Sequence, residues 1–265
     1  MKEATLNRRG ELTLKHWKTY IVIALCLLLF TACSNDESQK QEVKLYASSS
    51  LSNMLTNIEK ELEDEFQIKL ILHLRTSAQL IEDVKDEGPF DLFLTPSQAD
   101  IDELLNSGHL SEDSVQQFTY NDIVCINYYN DAGVNCDFDN LDERVRFISV
   151  ADPEAVTLGS YTKDLLINKN LWNDWEEQEQ LIFAESAPKA FDQVNGGDAE
   201  IGFVYGSDAR FYQYPYVEMD EQLTIPYTLA ISEEAKDNEK VLELKEWFLS
   251  EKGQEVLEEY GFITE

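Results

Sequence analysis

Apolar residues at Leu51, Met54, Leu55, Ile58, Leu62 and Phe66 recur at three- and four-residue intervals, which predicts a helix over 51–66. Glu42–Ala47 before it alternates as a strand does, through Val43 and Leu45, and Ile68–Leu74 after it reads as a second strand. Leu80, Ile81 and Val84 mark a second helix. Asp91–Leu94 is a short apolar strand behind Gly88-Pro89, and Ile101–Leu105 belongs to a third helix that Ser107-Gly108 ends. This alternation predicts an α/β domain built on a mainly parallel sheet.

The pattern repeats from about Phe118 to Tyr216. Strands are expected at Asp122–Tyr128, Phe147–Val150 and Ile201–Tyr205, with helices at Ser160–Asn168 and Pro188–Gly196. Aromatic and turn residues return the chain through Phe211–Pro226, a strand follows at Thr228–Ile231, and helices at Glu239–Leu249 and Glu251–Tyr260 close it. Placing the last helices against the first domain gives two lobes joined by two crossover strands. One lobe would comprise 43–118 plus 218–265, and the other 119–217.

The N-terminus has a different character. Lys2, Arg8, Arg9, Lys15 and Lys18 precede the apolar run Tyr20–Phe30, too short for a permanent span, which needs about 20 residues. Residues 1–32 therefore read as a signal peptide. The run ends in Phe30-Thr31-Ala32-Cys33, similar to a bacterial lipobox, so Cys33 is the expected lipidation site and 33–42 a polar tether. Of the four cysteines, Cys26 lies in the signal and Cys33 would carry lipid, leaving Cys125 and Cys136. In an exported protein these two either form a disulfide or leave Cys125 as a buried thiol.

The chain has 265 residues, 52 acidic and 21 basic, for a formal charge of −31. Removing 1–32 takes away Glu3, Glu11 and five bases, which leaves 50 acids against 16 bases and a charge of −34. Phosphate recognition needs clustered Lys and Arg, so nucleic acid is excluded as a partner. The same acidity opposes small anions at long range.

Four short segments run against that long-range repulsion. Ser48-Ser49-Ser50, Thr76-Ser77, Leu158-Gly159-Ser160 and Ser186-Ala187-Pro188 each place small polar or turn residues directly before a helical stripe. Such positions are ordinary helix caps. They also present backbone N–H groups with partial positive charge, the elements of an anion site. Where the helix follows a parallel strand, its start faces the crevice at the strands' carboxyl ends.

Ala47-Ser48-Ser49-Ser50-Leu51-Ser52, Pro89-Phe90-Asp91-Leu92-Phe93, Asp152-Pro153-Glu154, Ile201 through Ala209 with its Tyr205-Gly206-Ser207-Asp208-Ala209 block, and Tyr260-Gly261-Phe262 follow one another in a familiar order. Across nearly all of 43–263 the chain resembles the molybdate-binding proteins of ABC transporters, within the class II solute-binding fold. That resemblance implies a two-lobed class II periplasmic-binding-protein fold, each lobe a mainly parallel sheet flanked by helices. It implies capture of molybdate or tungstate and delivery to an ABC permease by an extracytoplasmic, lipid-anchored monomer. The implied contacts are the hydroxyls of Ser50 and Ser77, the backbone N–H groups of Leu158 and Ala187, and the hydroxyl of Tyr205. Thr157, where Pro is frequent, and Ala151, where Gly is frequent, depart from the pattern, as does Arg75 beside Ser77. No cofactor is implied, and metal enters only inside the oxyanion.

A tetrahedral dianion has acceptors and no proton to give, so a selective site should hold donors only: N–H, Ser and Tyr groups. The carboxylates of Glu185 and Asp208 are accordingly expected to point away or to cap helices. A fold of this kind also accommodates sulfate or phosphate, ferric iron or a polyamine. An enzyme is disfavoured: no Gly-rich phosphate loop, metal-spaced His pair or nucleophile motif occurs, and His73 and His109 lack a partner set.

Overall fold

The computed structural model describes residues 40–128, 136–138, 141, 143–219 and 224–264. The signal segment, Cys33 and most of the tether lie outside the described residues. Gln41–Glu265 forms one compact unit.

Its first sheet contains β1 (Gln41–Ser48), β2 (Ile68–Arg75), β3 (Leu92–Thr95), β4 (Gln116–Asn121) and β10 (Ile225–Ile231), in the order β2-β1-β3-β10-β4. The second contains β5 (Ile123–Asn127), β6 (Ile148–Ala151), β7 (Leu181–Ala184), β8 (Ile201–Tyr205) and β9 (Tyr216–Glu218), in the order β7-β6-β8-β5-β9. Each sheet is mixed: four of its five strands run the same way, as expected of a mainly parallel sheet, and one, β10 or β5, runs against them. β1 pairs in parallel with β2 and β3, and β6 with β7 and β8, but the remaining pairings are antiparallel. The reason is topological. The parallel strands point their carboxyl ends toward the other sheet, so a strand arriving from that sheet, β5 or β10, runs the opposite way.

Two faces of each sheet are covered, as the near-continuous burial of β1 requires. Val43 and Leu45 pack with Leu55, Leu62 and Phe248 on one side, while Tyr46 packs with Leu80, Phe90 and Ile101 on the other. In the second sheet, Cys125, Val150 and Phe203 meet Leu166 and Trp175, and Val124 and Val204 meet Phe191 and Val194. Cys125 and Cys136 form a disulfide, with Cα atoms 6.1 Å apart.

The helices are α1 (Ser52–Phe66), α2 (Ser77–Glu87), α3 (Gln98–Asn106), α4 (Thr157–Asn168), α5 (Trp172–Glu177), α6 (Ala187–Asn195), α7 (Gly206–Phe211), α8 (Glu239–Leu249) and α9 (Glu251–Glu259). α4 begins three residues before the expected Ser160, because Val156 closes the turn by accepting from Gly159 and Ser160 N–H. A Cβ at Gly159 would overlap the Ala151 carbonyl, so only glycine lets α4 approach the end of β6 this closely. β4, β7, β9, α5 and α7 are additional to the expected elements.

The chain crosses from one sheet to the other between β4 and β5, and this crossing is clamped. Asn121 Nδ2 donates to Ser207 Oγ (2.8 Å), and Ser207 N–H donates to Asn121 Oδ1 (3.1 Å). Arg210 donates to both carboxylate oxygens of Asp122 (2.7 and 3.2 Å) and to the Gly261 carbonyl (2.7 Å).

Candidate oxyanion-binding cleft

Six parallel strands deliver the chain into helix starts at their carboxyl ends, where open α/β sheets hold ligands. β1 runs into a 3-10 turn, Ser49–Leu51, and then α1. β2 leads to α2, whose start is fixed by a reciprocal cap between Thr76 and Gln79. β6 leads through Asp152–Val156 to α4. β7 leads to α6, capped by Ser186 Oγ accepting from Lys189 N–H, with Pro188 in the first turn. First-turn amides have no intrahelical acceptor, so Ser77, Leu158 and Ala187 carry N–H groups aimed out of their helices.

Contacts tie several of the expected residues together. Ser77 Oγ lies 2.7 Å from Thr157 Oγ1, which joins the start of α2, behind the first sheet, to that of α4, behind the second, one residue from Leu158. Ser50 Oγ accepts from Tyr227 Oη at 2.8 Å and donates to Ser48 Oγ at 3.1 Å. Tyr205 packs edge-on against Tyr227, with ring centroids 6.1 Å apart. Ser50, Leu158, Ala187 and Tyr205 are all buried, and Ser77 is half-buried. No hydrogen bond or ring contact ties Ala187 itself to this group; its neighbour Pro188 shares a cavity with Ser50.

The Tyr205 hydroxyl is the most exceptional group. It is buried with no hydrogen-bond partner among the described residues. Burial, reinforced by Tyr227, pushes its pKa well above the usual tyrosine value, so it stays protonated and able to donate. An unpaired buried hydroxyl costs about 1–3 kcal/mol, a cost that packing within the fold does not offset.

Acidic groups are arranged unevenly. Glu185 is exposed, as expected. Asp208 is not directed to solvent: it sits in the first turn of α7, buried, and its Oδ2 has no partner. Burial, then the nearby Asp192, raises its pKa to about 7. Asp100 is buried too, but Thr95 Oγ1 (2.9 Å) and Ser97 Oγ (2.7 Å) donate to its two oxygens. Arg75 turns to Asp83, Nε to Oδ2 3.6 Å, with 55% of its side chain exposed.

A cavity of about 620 Å³ opens between the start of α1 and helices α6 and α7, bordered by Ser50, Asn53, Phe191, Asp192, Asp208 and Tyr212. Ser77, Leu158 and Tyr205 are not part of its wall. Tyr227, Asn121 and the hydroxyl role of Thr157 escaped sequence reasoning. Tyr227 and Asn121 lie outside any cap or block, and Thr157 stood out only as a departure from a proline-rich position.

A B. subtilis relative provisionally named an ABC transporter substrate-binding lipoprotein, YvgL, is 24% identical over 261 residues, covering 95% of this chain and 99% of that protein. The molybdate-binding protein ModA of Escherichia coli is 24% identical over 247 residues, 89% and 94% of the two chains. Among solved structures, the substrate-binding domain of a provisionally assigned molybdenum ABC transporter from Clostridium difficile is 26% identical with a TM-score of 0.66, covering 85% of this chain and all of that one. The two five-stranded sheets with flanking helices are the two-lobed periplasmic-binding-protein fold of these neighbours. Residues 43–263 match the family described as bacterial extracellular solute-binding protein, and the chain belongs to that family.

Proposed function

We propose that this chain captures molybdate or tungstate between its two lobes and hands it to an ABC permease. The observation that carries this reading is the Tyr205 hydroxyl, buried, protonated and unpartnered at the carboxyl end of β8. The other proposed contacts are neutral donors too: Ser50, Ser77 and the first-turn amides of Leu158 and Ala187. Hydrogen bonds to a charged acceptor contribute about 1.5–3 kcal/mol each, so a handful offsets dianion desolvation without a buried Lys or Arg. Similarity to a molybdate-binding protein and to the substrate-binding domain of a molybdenum transporter supports the choice of oxyanion.

Hinge closure about the β4–β5 crossing and the return to β10 would bring the donors of both lobes onto the ligand. Cys33 is proposed to hold the chain at the outer face of the membrane through lipid, a reading supported by the lipoprotein relative. Among the described residues no helix is long and apolar enough to cross a membrane. Binding and delivery, rather than catalysis, is the proposed role, with the oxyanion passing through unchanged and no cofactor involved.

Titration calorimetry on the purified chain tests the ligand. Tight, saturable binding of molybdate and tungstate with no response to equimolar sulfate is expected. The acidic and aromatic wall formed by Asp192, Asp208, Phe191 and Tyr212 favours a polyamine as a second reading. Heat from spermidine but none from molybdate would replace the oxyanion with that reading.

A further inference from the structure

Ser77 and Thr157 are each the first residue of their helix, and their helices follow strands of different sheets. Two helix N-termini meeting head to head bring partial positive charges together, which is unfavourable unless electron-rich groups lie between them. Here the two hydroxyl oxygens do, at 2.7 Å, and either can donate to the other.

An oxyanion removes that ambiguity. It offers only acceptors, so a Ser77 hydroxyl touching it must point its proton at the ligand. Ser77 Oγ then has lone pairs free, and Thr157 is placed to donate to them. Asp100, which already receives hydrogen bonds from Thr95 and Ser97, also lies within reach of the Ser77 hydroxyl, so a bound oxyanion takes the Ser77 proton in competition with it. We propose that Thr157 is a positioning residue of the oxyanion site: its hydroxyl donates to Ser77 Oγ and thereby directs the Ser77 proton onto the ligand. The proposal rests on the oxyanion reading above and extends it to a residue outside the expected contact set.

Ser50 provides an internal parallel. Tyr227 Oη donates to it at 2.8 Å, so Ser50 is also backed by a second hydroxyl, and its own proton, given to Ser48 Oγ here (3.1 Å), can turn to a ligand. The difference lies in origin. Tyr227 belongs to β10, in the same sheet as the strand preceding Ser50, whereas Thr157 reaches Ser77 from the other sheet. The Thr157–Ser77 bond therefore exists only while the two lobes are together, and it strengthens a donor on one lobe when the other closes. Chains of hydroxyls donating toward a charge reinforce one another. Thr157 thus couples affinity to closure.

A double-mutant cycle read by molybdate calorimetry on the full chain tests this. Thr157→Val, which keeps the shape and removes the hydroxyl, should weaken binding about tenfold. Thr157→Ser should restore affinity to within about twofold of the parent. Thr157→Ala provides a second reading of the loss if valine perturbs the helix start. In a Ser77→Ala background, adding Thr157→Val should change affinity by less than about twofold, because the hydroxyl it positions is gone. Parent-like affinity of both Thr157→Val and Thr157→Ala overturns the proposal while leaving the oxyanion reading standing. An equal loss with and without Ser77 overturns it as well, since that marks a merely structural effect. A parent chain that binds neither molybdate nor tungstate overturns the oxyanion reading and this proposal together.

Discussion

Tyr205 and Asp208 lie three residues apart at the end of β8, and both are buried polar groups with an unpartnered oxygen. Their consequences differ. Tyr205→Phe keeps the edge-on packing on Tyr227 and removes only the donor. Calorimetry should show affinity for molybdate falling roughly 10–150-fold, equivalent to the loss of one charged hydrogen bond. Thermal unfolding should show the variant as stable as the parent or more so, because a hydroxyl buried without a partner no longer has to be dehydrated. Asp208 has a folded-state pKa of about 7 against an ordinary aspartate value of 3.8, through burial first and Asp192 second. Between those values the native chain holds a proton that the unfolded chain releases, so stability falls as pH rises, by at most about 1.4 kcal/mol per pH unit. Asp208→Asn abolishes this contribution. Its melting temperature should match the parent near pH 4 and exceed it by pH 8; an offset independent of pH would refute the assignment. Ionised Asp208 also adds a negative charge close to Tyr205, so molybdate affinity of the parent should decline as pH passes about 7.

Among the elements, the helix starts were the part of the site most open to reading from sequence. Caps are local: Thr76 and Gln79, or Ser186 and Pro188, lie within a few residues of the amides they organise. That is why Ser50, Ser77, Leu158 and Ala187 could be proposed from short segments together with a family resemblance. The hydroxyls that back them are not local. Ser77 and Thr157 are 80 residues apart in the chain, and Ser50 and Tyr227 are 177 apart, so no periodicity or cap rule connects them. The strands that escaped notice share a physical feature. β4, β7 and β9 are all sheet edges, β9 is exposed throughout, and β7 leaves Phe183 47% exposed, so none shows the buried alternation that identifies a strand. Gly159 tests the importance of one helix start. Gly159→Ala drives a methyl group into the Ala151 carbonyl and forces α4 away from β6. Stability measured by denaturant should fall by about 1–3 kcal/mol, and molybdate affinity should fall with it as the Leu158 amide moves. A variant with unchanged affinity would remove Leu158 from the contact set.

For the whole molecule, a charge of −31, or −34 without residues 1–32, is to be reconciled with capture of a dianion. The two operate over different distances. Salt screens surface charge within about 8–10 Å, whereas capture depends on helix starts and hydroxyls at hydrogen-bonding range. The acidity belongs mainly to the exterior, and the candidate cleft presents Ser50, Ser77, Leu158, Ala187 and Tyr205, none of them charged. Asp192 and Asp208, in the wall of the adjoining cavity, are exceptions, and the raised pKa of Asp208 keeps it largely neutral below pH 7. The two sheets repeat one strand order, so the proposed site would draw donors from strand ends in each lobe. Whether those donors converge on one oxyanion is decided most directly by a crystal structure of the chain with tungstate, located by its anomalous scattering. The account predicts one strong peak within hydrogen-bonding distance, via the tungstate oxygens, of Ser50, Ser77, the Leu158 and Ala187 amides and Tyr205 Oη. A peak confined to the cavity beside Asp192 and Tyr212, or no ordered tungsten at all, would contradict it.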